Sequence, residues 1–205
     1  MQTADEPGAE RPASKAFMRY IEEQAILLRQ RAGAGALEPF EPRSLVSDAK
    51  LQLAYPKDVT ELPPAVLTYL SDISPKAWSG MGKPLPNGEL FVLLHPGMTP
   101  ERESVTIMEE VAHVHFGHEP SELVAHPLGW EQRKYNKQAE QEAYWTAGAV
   151  LLPSKAVAFA VWRGETATDL AVAYSVSVEL AEMRIKTLGL WPHYDPDPIP
   201  MRRAG

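Results

Sequence analysis

The most constraining feature of the sequence is residues 99–118, TPERESVTIMEEVAHVHFGH, whose start, period and stop all describe one helix. Thr99 can cap the first turn, Pro100 suits the first helical position, and Gly117 suits a left-handed residue just past the end. Val105, Met108 and Ala112 recur at three- and four-residue spacing, and Ile107, Val111 and Val114 add a flanking row, the pattern of a helix surrounded by core. Glu109, Glu110 and His113 break that pattern, and at roughly 100° per residue they share about a third of the circumference. An unpaired buried charge is strongly unfavourable, so these groups need partners, and a divalent cation is one.

In the H-E-x-x-H motif two histidines one turn apart bind zinc and the intervening Glu acts as base on the bound water. Here the string is Glu109-Glu110-Val111-Ala112-His113. The spacing is kept, while the first ligand position holds Glu rather than His. The competing reading is a solvated helix face for the two glutamates and a hydrogen-bonded core position for His113.

At 205 residues the chain suits one substantial domain with a small appended subdomain. Its 27 acidic and 20 basic residues give a net charge of −7 without a basic cluster, which argues against a nucleic-acid surface. The absence of cysteine removes disulfides and thiolate zinc sites, leaving His and carboxylate as metal donors. No apolar leader and no run of eighteen apolar residues is present, so the expectation is a cytoplasmic protein without a membrane segment.

Along the chain, residues 1–13 read as a loose tail, and Ser14 caps a helix with a Phe17, Ile21, Ala25, Leu28 stripe ending near Gly33. A short helix over 42–51, a strand over 51–55 and a helix opened by Pro63 follow. Strands near Trp78 and over 90–95 are expected to pair across a loop holding Pro86, Asn87 and Gly88. The second of these leads directly into the central helix, which places a strand beside the candidate site, where an edge strand can hold an extended peptide. Residues 119–136 read as a loop or lid. Asn136 then caps a helix with an Ala139, Ala143, Ala147, Val150 stripe that ends at Pro153, with Glu142 beside the stripe as a candidate to face the central helix. Ser154 caps a short helix to about 163, and further short helices cover about 168–174 and 178–188, with an extended proline-rich tail from Pro192. The last helix pair has the spacing of a helix-turn-helix, but its second member opens Val178-Glu179-Leu180-Ala181-Glu182, acidic and apolar where a recognition helix presents Arg, Lys, Asn or Gln.

Three segments in order resemble the ImmA/IrrE family of metallopeptidase-like proteins: ERESVTIMEEVAHVHFGH, EQEAYWTAGAVLLP and DLAVAYSVSVELAEMRIKTLGL. With the N-terminal helix they cover roughly residues 14–190. The resemblance implies an α+β fold: a small gluzincin-like peptidase domain with a central metal-site helix, a short antiparallel sheet and a helical C-terminal subdomain. The boundaries expected are a disordered tail at 1–13, the peptidase-like domain at 14–153, the helical subdomain at 154–190 and a Pro-rich tail at 191–205.

Carried over by position, Glu110 would be the general base, and Glu109, His113 and Glu142 the ligands of a divalent metal, Zn2+ first and Mn2+ or Fe2+ as harder alternatives suited to a more anionic set. His118 can fold back after Gly117 as a residue behind the ligands or an alternative ligand; His115 points away, and His126 lies in the lid. The implied function is a metal-dependent peptidase acting on a protein substrate such as a helix-turn-helix repressor, in transcription regulation and stress response. The alternative is a catalytically degenerate member that binds a partner or small ligand, such as one half of a toxin–antitoxin pair. Glu109 in the first ligand position is the residue that favours this alternative.

Overall fold

The computed structural model describes residues 14–74, 77–119, 122–125, 131–134 and 136–196. In chain order the elements are α1 (Lys15–Arg31), β1 (Leu51–Ala54), α2 (Pro64–Asp72), β2 (Gly80–Pro84), β3 (Leu90–Leu94), α3 (Pro100–Phe116), β4 (Glu122–Ala125), β5 (Glu131–Lys134), α4 (Lys137–Leu151), α5 (Ser154–Trp162), α6 (Ala167–Tyr174) and α7 (Val178–Thr187). Tight 3-10 turns lie at Pro42–Leu45, Pro56–Asp58 and Trp191–His193. The class is α+β, as expected.

Helix α3 forms as its sequence dictates. Thr99 Oγ1 accepts from the Arg102 amide, Pro100 occupies the first turn, and Gly117 closes the helix at φ 66°. Glu101 and Glu103 in the first turn complement the helix dipole. Thr106, Ile107, Met108, Val111 and Ala112 are buried, whereas Val114 is 40% exposed and stands at the rim of the interior face. The N-terminal half is clamped to the chain on either side of β1: Glu103 accepts from Arg43 at 2.6 Å and from the Tyr55 hydroxyl at 2.7 Å.

Helix α4 lies against α3 through small residues, Ala143 and Ala147 being wholly buried. Its C-terminal carbonyls have no intrahelical partner, and two buried arginines supply one. Arg29 of α1 donates to Val150 O at 2.6 Å, and Arg184 of α7 donates to Leu152 O at 3.0 Å while pairing with Glu22 at 2.7 Å. One helix end is thereby tied to α1 and α7. The apolar core is continuous across α1, β3, α3, α4, α5, α6 and α7.

The main sheet has the order β1-β3-β2, with β1 parallel and β2 antiparallel to β3. It is mixed rather than antiparallel, because the chain returns from β1 through α2 and β2 before laying β3 between them. Val92, Leu93 and Leu94 are buried consecutively, the signature of a central strand covered on both faces. The strand leading into α3 is therefore internal, and the edge strand beside the site is β2.

Other differences are local. The expected helix over 42–51 shortens to a four-residue 3-10 turn followed by turns. Within 119–136 the described segments β4 and β5 pair as an antiparallel two-stranded sheet rather than a loop. Pro153, not Ser154, occupies the cap position of α5. The segment after Leu190 is anchored, since the Ala167 amide donates to the Tyr194 hydroxyl at 2.9 Å. The tail at 1–13, residues 197–205 and His126 lie outside the described residues. Among the described residues no single helix is long and apolar enough to cross a membrane.

Candidate active-site cleft

A cleft of about 800 Å³ runs between β2, the loop after it and the exposed flank of α3, with Glu140 of α4 at its end. Glu109, Glu110, His113 and His118 all line it; Glu142 does not. The sequence-derived set is thus only partly brought together.

Glu110 reaches across to the edge strand. A Cβ built on Gly82 would stand 3.2 Å from Glu110 Oε2, and one on Gly80 would stand 3.6 Å from Oε1 and 2.8 Å from Thr106 Cγ2. Side chains two apart on a strand share a face, so Gly80 and Gly82 together leave room for this carboxylate. The Gly-x-Gly spacing in a strand was the available sequence signal for both. Gly80→Ala forces an overlap with the buried Thr106, and chemical denaturation is expected to show a loss of about 1–3 kcal/mol.

Glu109 lines the same cleft and feels the charges of both Glu110 and Glu140. Burial, reinforced by the Glu110 and Glu140 carboxylates and opposed by Arg102, raises its pKa to about 7. Burial and the same Glu109 charge raise the Tyr144 hydroxyl. The cleft floor is therefore a crowded set of carboxylates, one of them partly protonated near neutrality.

His113 meets α4 in an unexpected way. Its Nε2 lies 3.8 Å from Glu140 Oε2, and its Nδ1 lies 3.0 Å from His118 Nδ1. His118 Nε2 in turn lies 3.1 Å from Glu142 Oε2. Gly117 makes this possible: its left-handed conformation turns the chain back so that the His118 amide bonds to the His113 carbonyl and the two rings meet edge to face. His118 thus stands between His113 and Glu142. His115 points away, toward Gln24 and Arg31.

Glu109, His113 and Glu142 are not gathered around one point in this arrangement. Glu142 Oε2 lies against Nε2 of the His118 ring, and among the described residues no three His, Asp or Glu side chains form a group able to hold an ion. A carboxylate that does lie within 4 Å of His113 Nε2 is Glu140, which sequence reasoning missed although it stands two residues before Glu142 in the same Glu-Gln-Glu-Ala string.

Comparison with known proteins gives a family-level match. Residues 69–186, more than half of the chain, match the model of the IrrE N-terminal-like domain, Peptidase_M78. No curated protein sequence matches the chain. A Mycobacterium tuberculosis transcriptional regulator of known structure is similar at 13% identity and TM-score 0.48, over 82% of this chain and 46% of that one. The chain spans about half the length of that protein.

Proposed function

Because the chain belongs to the IrrE N-terminal-like family of peptidase domains, we propose that it is a member whose cleft binds an extended polypeptide without metal-dependent hydrolysis, as a regulatory module. The observation that carries this reading is the His118 ring interposed between His113 and Glu142, together with Glu109 in the first ligand position. The family is typically metal-dependent, and two of the positions that would hold the ion are here engaged with a third side chain.

The polypeptide part of the proposal rests on β2. One side of this strand pairs with β3, and its other side carries no strand among the described residues. Such an edge offers backbone donors and acceptors to an added strand. Pro84 at its end has no N–H to offer, so pairing would centre on Gly80 to Lys83. By the family resemblance the partner would be a protein such as a helix-turn-helix repressor.

Family-type hydrolysis of such a protein is the second reading, and one observation favours it: the Glu110 carboxylate lies over the face of the edge strand at Gly80 and Gly82, within the cleft. Glu109→His separates the two. Under the binding-module reading the substitution leaves zinc affinity, measured by calorimetric titration, within a few-fold of wild type, because His118 still divides His113 from Glu142. A gain of several orders of magnitude in zinc affinity, accompanied by cleavage of a repressor substrate, would establish hydrolysis as the ancestral and recoverable function of this site.

A further inference from the structure

We propose that the cleft takes an extended polypeptide with Lys or Arg at alternate positions, its cationic side chains directed to the α3 face of β2. The proposal rests on the reading of the cleft as a polypeptide site, and adds to it the charge of the ligand and the spacing of that charge.

The backbone of the open edge sets the spacing. Bonded and non-bonded residues alternate along an antiparallel pair. The His95 amide donates to Ser79 O at 2.9 Å and the Leu85 amide to Glu89 O at 2.8 Å, which in this register makes Ser79, Met81, Lys83 and Leu85 the residues bonded toward β3. The N–H and C=O groups of Gly80 and Gly82 therefore point to the open edge. Pro84 occupies the next such position, where its missing N–H costs the sheet no bond to β3. A strand added at this edge bonds to Gly80 and Gly82, and its residues opposite them project from the face the two glycines share. Glu110 lies over that face, 3.2 Å from where a Cβ on Gly82 would stand. Every second side chain of the ligand is thus aimed at α3, and those between them lie on the face of Met81 and Lys83.

Charge sets which side chains fit. Glu109 and Glu110 of α3, Glu119 just beyond it and Glu140 of α4 all line the cleft. Asp48 and Glu89 line it too, but Asp48 is paired with Arg31 and Glu89 accepts from the Asn87 side chain at 2.7 Å. Lys50 is the one lysine or arginine among the lining residues. An acidic ligand side chain at these positions meets like charge, and a neutral one leaves the carboxylates uncompensated. Neighbouring strands lie about 4.8 Å apart, a gap that the long stem of Lys or Arg spans while its cation reaches back over Gly82.

The test is fluorescence anisotropy on the full chain, in EDTA so that no divalent ion competes for the carboxylates. The probes are labelled peptides of about ten residues in which Val alternates with Lys, with Gln or with Glu. The Lys peptide is expected to bind about tenfold more tightly than the Gln peptide, as two or three partly sheltered ion pairs provide, and the Glu peptide more weakly than either. Glu110→Gln, which keeps the side-chain shape, is expected to cut the preference for Lys over Gln by about threefold, the worth of one such pair. A peptide of the same composition with its lysines in one block is expected to bind more weakly than the alternating one. Equal affinity for the Lys, Gln and Glu peptides would overturn the charge assignment and leave the polypeptide site standing; no binding of any peptide would overturn both. Equal binding of the block peptide, or a Lys preference unmoved by Glu110→Gln, would trace the attraction to the net charge of −7 and overturn the proposal. The wild-type comparisons decide the charge and its spacing even if the variant does not fold.

Discussion

Arg184→Ala is expected to lower the unfolding free energy by about 3–5 kcal/mol, the usual consequence of removing one member of a buried ion pair. The guanidinium is 1% exposed, and it both pairs with Glu22 and caps the Leu152 carbonyl at the end of α4. Burial lowers its pKa while Glu22 opposes that shift, so each charge is kept in place by the other. Alanine leaves the Glu22 carboxylate without its partner, an uncapped helix end and a cavity the length of an arginine. In a domain of this size the midpoint of thermal unfolding should fall by about 10 °C. Arg184→Met, which fills the space and lets the partly exposed Glu22 turn to water, is expected to cost less. Equilibrium denaturation of the three proteins checks this; a loss below about 1 kcal/mol for the alanine variant would show that the pair does not anchor α7 to α1.

Glu109→Gln is expected to act in the opposite direction and only above the acidic range. The Glu109 pKa is raised from 4.5 to about 7 in the folded protein, so between those values the folded state holds a proton that the unfolded state has released. Stability contributed by this group is full below about pH 4.5, declines as pH rises through that window, and is lost above pH 7. Glutamine cannot ionise and keeps the shape. The variant should therefore be more stable than wild type at pH 8 by up to about 3 kcal/mol, with the difference vanishing near pH 4.5. Denaturation at a series of pH values measures it. An equal effect at pH 5 and pH 8 would mean that the carboxyl is not the titrating group.

The parts of the fold that depend on near neighbours in sequence were legible there. Thr99, Pro100 and Gly117 delimit α3, and Asn136 opens α4, because caps are satisfied within three or four residues of the helix end. The family resemblance placed the two helices together, and α3 and α4 do pack against each other. Sheet order was not legible: the parallel pairing of β1 with β3 closes over an intervening helix and strand, which no local pattern encodes.

The choice between Glu140 and Glu142 shows the same limit inside the site. Around an ideal helix the two lie about 80° to either side of the Ala139–Ala143 stripe, so each is equally placed to reach α3. What divides them is His118, brought back by Gly117 to take Glu142 and leave Glu140 toward the cleft. That the ring can return was readable from Gly117; which carboxylate it would meet depends on how α4 crosses α3.

The account turns on whether Glu109, His113 and Glu142 hold a metal, and the metal content of the purified protein tests it most directly. The protein is reconstituted with zinc, manganese or iron, freed of unbound ions, and measured by mass spectrometry beside His113→Ala and Glu142→Ala. The arrangement of His118 between His113 and Glu142 predicts metal far below one ion per chain in wild type, unchanged in both variants. Near-stoichiometric metal in wild type, abolished by both substitutions, would contradict it and return the cleft to metal-dependent hydrolysis.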